Sequence, residues 1–214
     1  MFKAVSGNDI ACRIGDGLLK SAAVIQAAGK GSRFHSNQYK LLTPVNGSPM
    51  IIRTLEPVLQ AGFDEIVVVT GAHADKMRDA LAGYPVKIIV NPEWEKGQST
   101  TLSAGVRAIA GTSDRACLLL GDQPYLKKET LSALLRESDK YPDEIIVPFY
   151  QGKRGNPIIV PAARYALMLE LSQGDNGGKQ LLATVGYHQM DSADRGVLRD
   201  IDTVEELNRY EQDK

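Results

Sequence analysis

Cysteine, histidine and any surplus of charge are scarce in this sequence, and each scarcity removes a class of function. Two cysteines, Cys12 and Cys117, in 214 residues are too few for a disulfide framework or a cysteine-rich zinc site. Cys117 lies in an apolar run, where a reduced, buried thiol is expected. The three histidines, His35, His73 and His188, show no paired spacing for zinc, so surface or helix-capping roles are expected. The charge balance, 25 basic against 26 acidic residues for a net −1, gives no global attraction to nucleic acid or to an acidic membrane. An anionic ligand must therefore be held by local cations. No apolar run approaches the ~18 residues needed to span a bilayer, and Met1-Phe2-Lys3 leads into polar residues, so a cytoplasmic location is expected. The single tryptophan, Trp94, lacks the basic and aromatic neighbours of a nucleic-acid platform. A G-x-S-x-G elbow is missing at Ser32, Ser99 and Ser103, which disfavours covalent catalysis.

What is present has the rhythm of an α/β fold. From Ser21 onward short β-branched runs alternate with helix-period segments, which predicts one domain over residues 21–214: a mostly parallel sheet with helices on both faces. Residues 1–20 read as an N-terminal extension without visible chemistry. Predicted strands are Ala22–Gln26, Ile66–Thr70, Val86–Val90, Ala116–Leu120 and Glu144–Val147, each apolar enough to be buried on both faces. Predicted helices are Pro49–Gln60, with Ser48 as N-cap, then His73–Leu81, Ser99–Ile109 and Thr130–Ser138. After Pro148 the pattern predicts a strand at Pro157–Val160, helices at Ala162–Leu171 and Gly177–Val185, and a strand at Val197–Ile201. A helix follows, opened by the capping box Thr203-Val204-Glu205-Glu206.

The first strand runs into Ala27-Ala28-Gly29-Lys30-Gly31-Ser32-Arg33. Small residues allow close backbone approach to a phosphate or a base, and Lys30 and Arg33 supply charge that the chain as a whole lacks. A Walker A loop would need Gly at Val24 and Ser or Thr at Gly31, and a Rossmann fingerprint would need Gly at Phe34, so neither fits. A triphosphate is the natural guest, although a βα turn also favours glycine for its own sake. Asp122, in Gly121-Asp122-Gln123-Pro124, falls at the carboxyl end of a strand, where open α/β sheets bind ligands, and could hold Mg²⁺ with Gly121 leaving room for phosphates. Asp200 and Asp202, on one face of a predicted strand, could each complete that site. Asp202 also precedes a helix, where a carboxylate is favourable without a metal.

The order of these motifs resembles the molybdenum cofactor cytidylyltransferase family. It is carried by Ala27-Ala28-Gly29-Lys30-Gly31-Ser32-Arg33, Lys40 in Tyr39-Lys40-Leu41-Leu42, Gly47-Ser48-Pro49-Met50, and Asn91-Pro92-Glu93-Trp94 with Gly97-Gln98-Ser99-Thr100-Thr101-Leu102. Gly121-Asp122-Gln123-Pro124, Arg154-Gly155-Asn156-Pro157, Gly174-Asp175 with Gly177-Gly178, and Asp200-Ile201-Asp202-Thr203 complete it. The resemblance implies a Rossmann-like nucleotidyltransferase fold and transfer of CMP from CTP to a phosphorylated acceptor, with release of pyrophosphate. It implies Arg33, Lys40 and Asp122 as catalytic residues and Asp122 with Asp202 as ligands of Mg²⁺. Nucleotide contacts would come from Ala27, Ala28, Gly29, Lys30, Gly31, Ser32, Gly97, Ser99 and Thr101. Acceptor contacts would come from Gly155, Asn156, Pro157, Asp175 and Gly178, with Asn156 in binding rather than proton transfer. The implied acceptor is molybdopterin, and the implied client a molybdenum hydroxylase. His35 stands where the family often has Gly. Cytidylyl relatives carry the A-A-G of this loop and guanylyl relatives A-G-G, which makes Ala28 a candidate for base choice. A sugar- or alditol-phosphate nucleotidyltransferase fits the first third equally, and a non-catalytic cofactor carrier is the other alternative.

Overall fold

The structure, a computed structural model, describes residues 19–34, 39–171 and 177–212. The expected N-terminal extension falls, up to residue 18, outside these residues. Strand β1 (Ser21–Ala27) is central because its residues suit two apolar faces at once. Ala23, Ile25 and Ala27 enter one core, while Ala22 and Val24 enter the other, as the two-residue period of a strand requires. It pairs in parallel with β4 (Glu65–Thr70) and β6 (Arg115–Leu120), and β5 (Lys87–Val90) extends the sheet beyond β4.

On the other side β9 (Ile158–Pro161) runs antiparallel to both β6 and β7 (Ile146–Tyr150), so β6 and β7 point the same way. The order is β10-β7-β9-β6-β1-β4-β5, with β10 spanning His188–Asp191 and the short β8 (Lys153–Arg154) paired to β7. Helices α1 (Met50–Leu59), α2 (Ala74–Ala80), α4 (Lys128–Lys140) and α7 (Val204–Gln212) contribute Leu55, Met77, Leu134 and Leu207 to one core. The opposite core takes Val106 from α3 (Gln98–Ile109), Met168 from α5 (Tyr165–Leu171) and Leu181 from α6 (Gly177–Val185). The sequence thus folds as predicted, into a single α/β domain with a mostly parallel sheet covered on both faces.

Two local expectations are corrected. Ser48 does not cap α1; it pairs in a hairpin, β2 (Pro44–Val45) with β3 (Ser48–Pro49), and Pro49 precedes the helix without a side-chain cap. The segment predicted as strand Val197–Ile201 is instead a 3₁₀ turn over Arg195–Leu198, entered through Asp194, whose carboxylate accepts the Gly196 N–H. Val197 and Ile201 are buried, so the apolar spacing reflects a loop pressed on the core and not a strand. Strand β10 was not anticipated, because an edge strand with polar His188 and Gln189 has little periodic signal.

The capping box at α7 forms as read. Thr203 Oγ1 accepts the Glu206 N–H at 3.2 Å, and Glu206 Oε2 accepts the N–H groups of Thr203 and Asp202 at 3.1 and 2.7 Å. Among the described residues no helix is long and apolar enough to cross a membrane.

Candidate nucleotide-binding cleft

A cleft of about 460 Å³ opens at the carboxyl ends of β1 and β6. Its floor is the glycine loop that continues β1, with Ala27 through Arg33 all lining it. Gly31 holds a left-handed φ of 68°, and a Cβ there would lie 2.8 Å from the Lys40 Cβ, so this position requires glycine. Tyr39 fixes the loop from behind. Its buried hydroxyl lies 3.2 Å from the Ala27 carbonyl and 3.0 Å from that of Gly29. Burial first, and the Asp122 charge second, push the Tyr39 phenol well above its ordinary range, so it remains a donor at any working pH. His73 was expected on the surface or as a cap; it opens α2 without a side-chain capping bond, and its ring packs on Tyr39 at 4.1 Å.

Lys40 stands at the centre of the site. Its buried ammonium donates to Asp122 Oδ2 at 2.6 Å and to Asp202 Oδ1 at 3.0 Å, while the exposed Arg33 guanidinium reaches Asp202 Oδ2 at 2.8 Å. Residues far apart in sequence thus form one alternating network of cations and carboxylates. The Ile201 N–H donates to the Asp122 carbonyl at 3.0 Å, fastening the two acidic segments together.

The capping function expected as an alternative role for Asp202 is performed by Thr203 and Glu206, and the Asp202 carboxylate is turned to Lys40 and Arg33. Asp200 also lines the cleft but makes no bond to Lys40. Loss of surrounding water chiefly raises the Asp200 carboxyl above its usual range, with the Asp122 and Asp202 charges adding to the effect. A Cβ at Gly121 would meet the Gln26 carbonyl at 2.9 Å, so glycine there serves the approach of β6 to β1.

The donors fit a hard divalent cation. Asp122 Oδ1 is buried without a hydrogen-bond partner, and two carboxylates with phosphate oxygens and water are a common Mg²⁺ environment. Among the described residues no group of three or more potential metal-ligating side chains forms, and Asp122 and Asp202 are the pair that would hold the ion.

The opposite wall is the Asn91–Thr101 segment. Asn91 Nδ2 donates to Thr100 Oγ1 and Thr101 Oγ1 at 2.9 and 3.2 Å, and its Oδ1 accepts the Glu93 N–H at 3.0 Å. This holds Trp94, Gly97, Gln98 and Thr101 at the cleft. Ser99, expected at the nucleotide, is buried and does not line it. Gly155, Asn156 and Pro157 do not line it either. The Gly155 N–H bonds to the Pro148 carbonyl and the Asn156 N–H to that of Val197, each at 2.8 Å. Continuing the β6–β9 register places Asn156 beside Leu120, at the same sheet end as Asp122. Gly178 falls in the first turn of α6; Asp175, like His35, lies outside the described residues. Tyr39, Gln26, Trp94 and Gln98 were missed as cleft residues, because a single aromatic or amide at the end of an element carries no spacing signal.

The MobA-like NTP transferase domain model matches residues 23–192. The chain belongs to that family. The expected likeness to the MobA-like nucleotidyltransferases therefore holds, and the fold is that of a nucleotidyltransferase. Nicotine blue oxidoreductase of Paenarthrobacter nicotinovorans is 29% identical over 195 residues, covering 87% of this chain and 94% of that protein. Bifunctional protein GlmU of Geobacter metallireducens is 34% identical over 114 residues, covering 53% of this chain. The match spans only 24% of that GlmU's length. Among solved structures, a nucleotidyl transferase from Methanothermobacter thermautotroptrophicus superposes with a TM-score of 0.78 at 27% identity, covering 92% of this chain and 98% of the other.

Proposed function

We propose that this MobA-like domain transfers CMP from CTP to a phosphorylated acceptor of the molybdopterin class, releasing pyrophosphate in the cytoplasm and supplying a molybdenum hydroxylase. The observation that carries the transfer reading is the Lys40 ammonium held between Asp122 and Asp202 at the mouth of a small-residue loop. The CTP assignment is supported by the motif Ala27-Ala28-Gly29, and the molybdopterin assignment by the family resemblance, with Arg154-Gly155-Asn156-Pro157 and the segment 174–179 arguing against a sugar acceptor.

The acceptor phosphate is already a nucleophile at neutral pH, so in-line attack on the α-phosphorus needs no strong base. The protein's task is positioning and charge neutralisation. The loop Ala28–Ser32 offers close backbone approach to the triphosphate, and Arg33, three-quarters exposed at 76% of its side chain, is free to turn onto it. Lys40 is the cation that can follow the α-phosphoryl oxygens as charge builds. Mg²⁺, when bound, supplies charge neutralisation on the triphosphate and the departing pyrophosphate, and Asp122 and Asp202 are the residues that would hold it. The wall at Trp94, Gln98 and Thr101 confines the nucleoside. Asn156, at the same sheet end, belongs to the acceptor side.

A sugar- or alditol-phosphate acceptor is the second reading, favoured by the likeness to GlmU over about half the chain. Pyrophosphate release measured with each NTP, against molybdopterin and against sugar phosphates, tests both. It also addresses the oxidoreductase name of the relative matched over nearly its full length. Turnover with CTP and molybdopterin is expected. Turnover only with a sugar phosphate would transfer the assignment, and no pyrophosphate with any pair would leave the carrier reading.

A further inference from the structure

A second cavity, of about 380 Å³, lies between the β7–β8 hairpin, the Arg195–Leu198 turn and α7. The described residues that line it include three cations, Lys153, Arg195 and Arg199, two phenols, Tyr150 and Tyr210, and no carboxylate. In a chain of net charge −1, three cationic side chains thus converge on one small cavity.

The cations come from different elements, and the structure places each of them. Arg199 lies over the Tyr125 and Tyr210 rings at 5.7 and 4.7 Å from their centroids, a cation–π arrangement that orders a guanidinium before any ligand arrives. Lys153 follows a tight turn in which Gln151 and Gly152 both take left-handed φ values of 49° and 75°, the signature of a two-residue hairpin that fixes the register of its strands. Arg195 opens the 3₁₀ turn whose entry Asp194 secures through bonds to the Lys127 N–H and to Thr130 Oγ1 at 3.0 and 2.6 Å.

We infer that this cavity is a second oxyanion site, built for a phosphate group and separate from the nucleotide cleft. Guanidinium groups match phosphate oxygens with paired donors, and a lysine adds a point charge. The turn that carries Arg195 and Arg199 continues into Asp200 and Asp202 of the cleft, so the two sites share one segment of chain. The inference does not depend on the transfer reading, since it uses none of the cleft residues.

Inorganic phosphate and phenyl phosphate, titrated calorimetrically into the full chain at low ionic strength without divalent metal, test it. The wild type is expected to bind, a Lys153→Ala/Arg195→Ala double variant to bind about 10-fold or more weakly, and Arg33→Ala to bind within about 2-fold of wild type. Both replaced residues of the double variant are exposed, and its circular dichroism should match wild type. Tighter binding of phenyl phosphate than of inorganic phosphate would identify an organic ester as the occupant, and equal binding the free anion. No binding by wild type, unchanged binding in the double variant, or an equal loss in Arg33→Ala would overturn the inference. Failure of the transfer reading would register separately, as unchanged CTP affinity in Arg33→Ala.

Discussion

Replacing Lys40 with methionine keeps the stem and removes the charge that lies between two carboxylates. In the structure the ammonium donates at 2.6 and 3.0 Å to Asp122 and Asp202, and only 8% of the side chain is exposed. Hydrogen bonds to charged groups contribute about 1.5–3 kcal/mol each, which would make the pair worth roughly 3–6 kcal/mol if both carboxylates were fully buried. They are 20% and 27% exposed, and Arg33 still neutralises one of them, so the expected loss is about 2–3 kcal/mol. With a urea slope of roughly 2 kcal/mol per molar, the unfolding midpoint should fall by about 1 M or somewhat more. The same substitution removes a competitor for the carboxylates, so Mn²⁺ should bind the nucleotide-free variant more tightly than it binds wild type. Turnover should fall on the order of 10²-fold or more, as when a group that stabilises transition-state charge is lost. Urea unfolding, Mn²⁺ titration by electron paramagnetic resonance and pyrophosphate release read the three effects on one preparation. A variant with the wild-type midpoint and the wild-type rate would refute the central role given to Lys40.

Asp122→Ala should abolish turnover while circular dichroism stays native, because it removes a carboxylate at a loop without opening a core cavity. Tyr39→Phe deletes the hydroxyl near the Ala27 and Gly29 carbonyls; a loss of about 1–2 kcal/mol in chemical unfolding and a raised KM for CTP are expected. Asp200→Asn tests the crowding of the three carboxylates. A folded-state pKa raised above the unfolded one means that ionisation opposes folding, so at pH 7 without metal the variant should be more stable than wild type. That advantage should vanish below about pH 4, where the unfolded carboxyl is also protonated; a midpoint difference that grows toward acid would contradict the assignment. Ala28→Gly should raise GTP use relative to CTP by roughly 10- to 200-fold at most, the range available to one methyl, and competition between the two nucleotides measures it.

The parallel strands were legible because burial on both faces leaves long apolar runs, and β1, β4 and β6 follow them closely. The loop from Ala27 to Arg33 and Asp122 could be singled out because charge and glycine are concentrated where a strand ends, whereas Lys40 was reached only through the family resemblance. Tertiary compensation was not legible. Asp202 could be separated from the cap only once Thr203 and Glu206 were seen to satisfy the helix N-terminus, and Val197 looked like a strand because a loop pressed on Gly155 is as apolar as one. Ser99 shares a helical turn with Thr101, yet only Thr101 reaches the cleft, a distinction of helix phase that spacing alone left undetermined.

The hydrogen bond from the Ile201 N–H to the Asp122 carbonyl has a bearing on how such a protein can diversify. It joins the two acidic segments directly, so the chain from Gln123 to Arg199 leaves and re-enters the cleft at a single clasp. The contact of Asn156 with Val197 lies inside that excursion, while β9 within it ties the same stretch to β6. Chimaeras that exchange residues 123–199 with a relative test whether acceptor choice can be changed while the spacing of Asp122, Lys40 and Asp202 is kept.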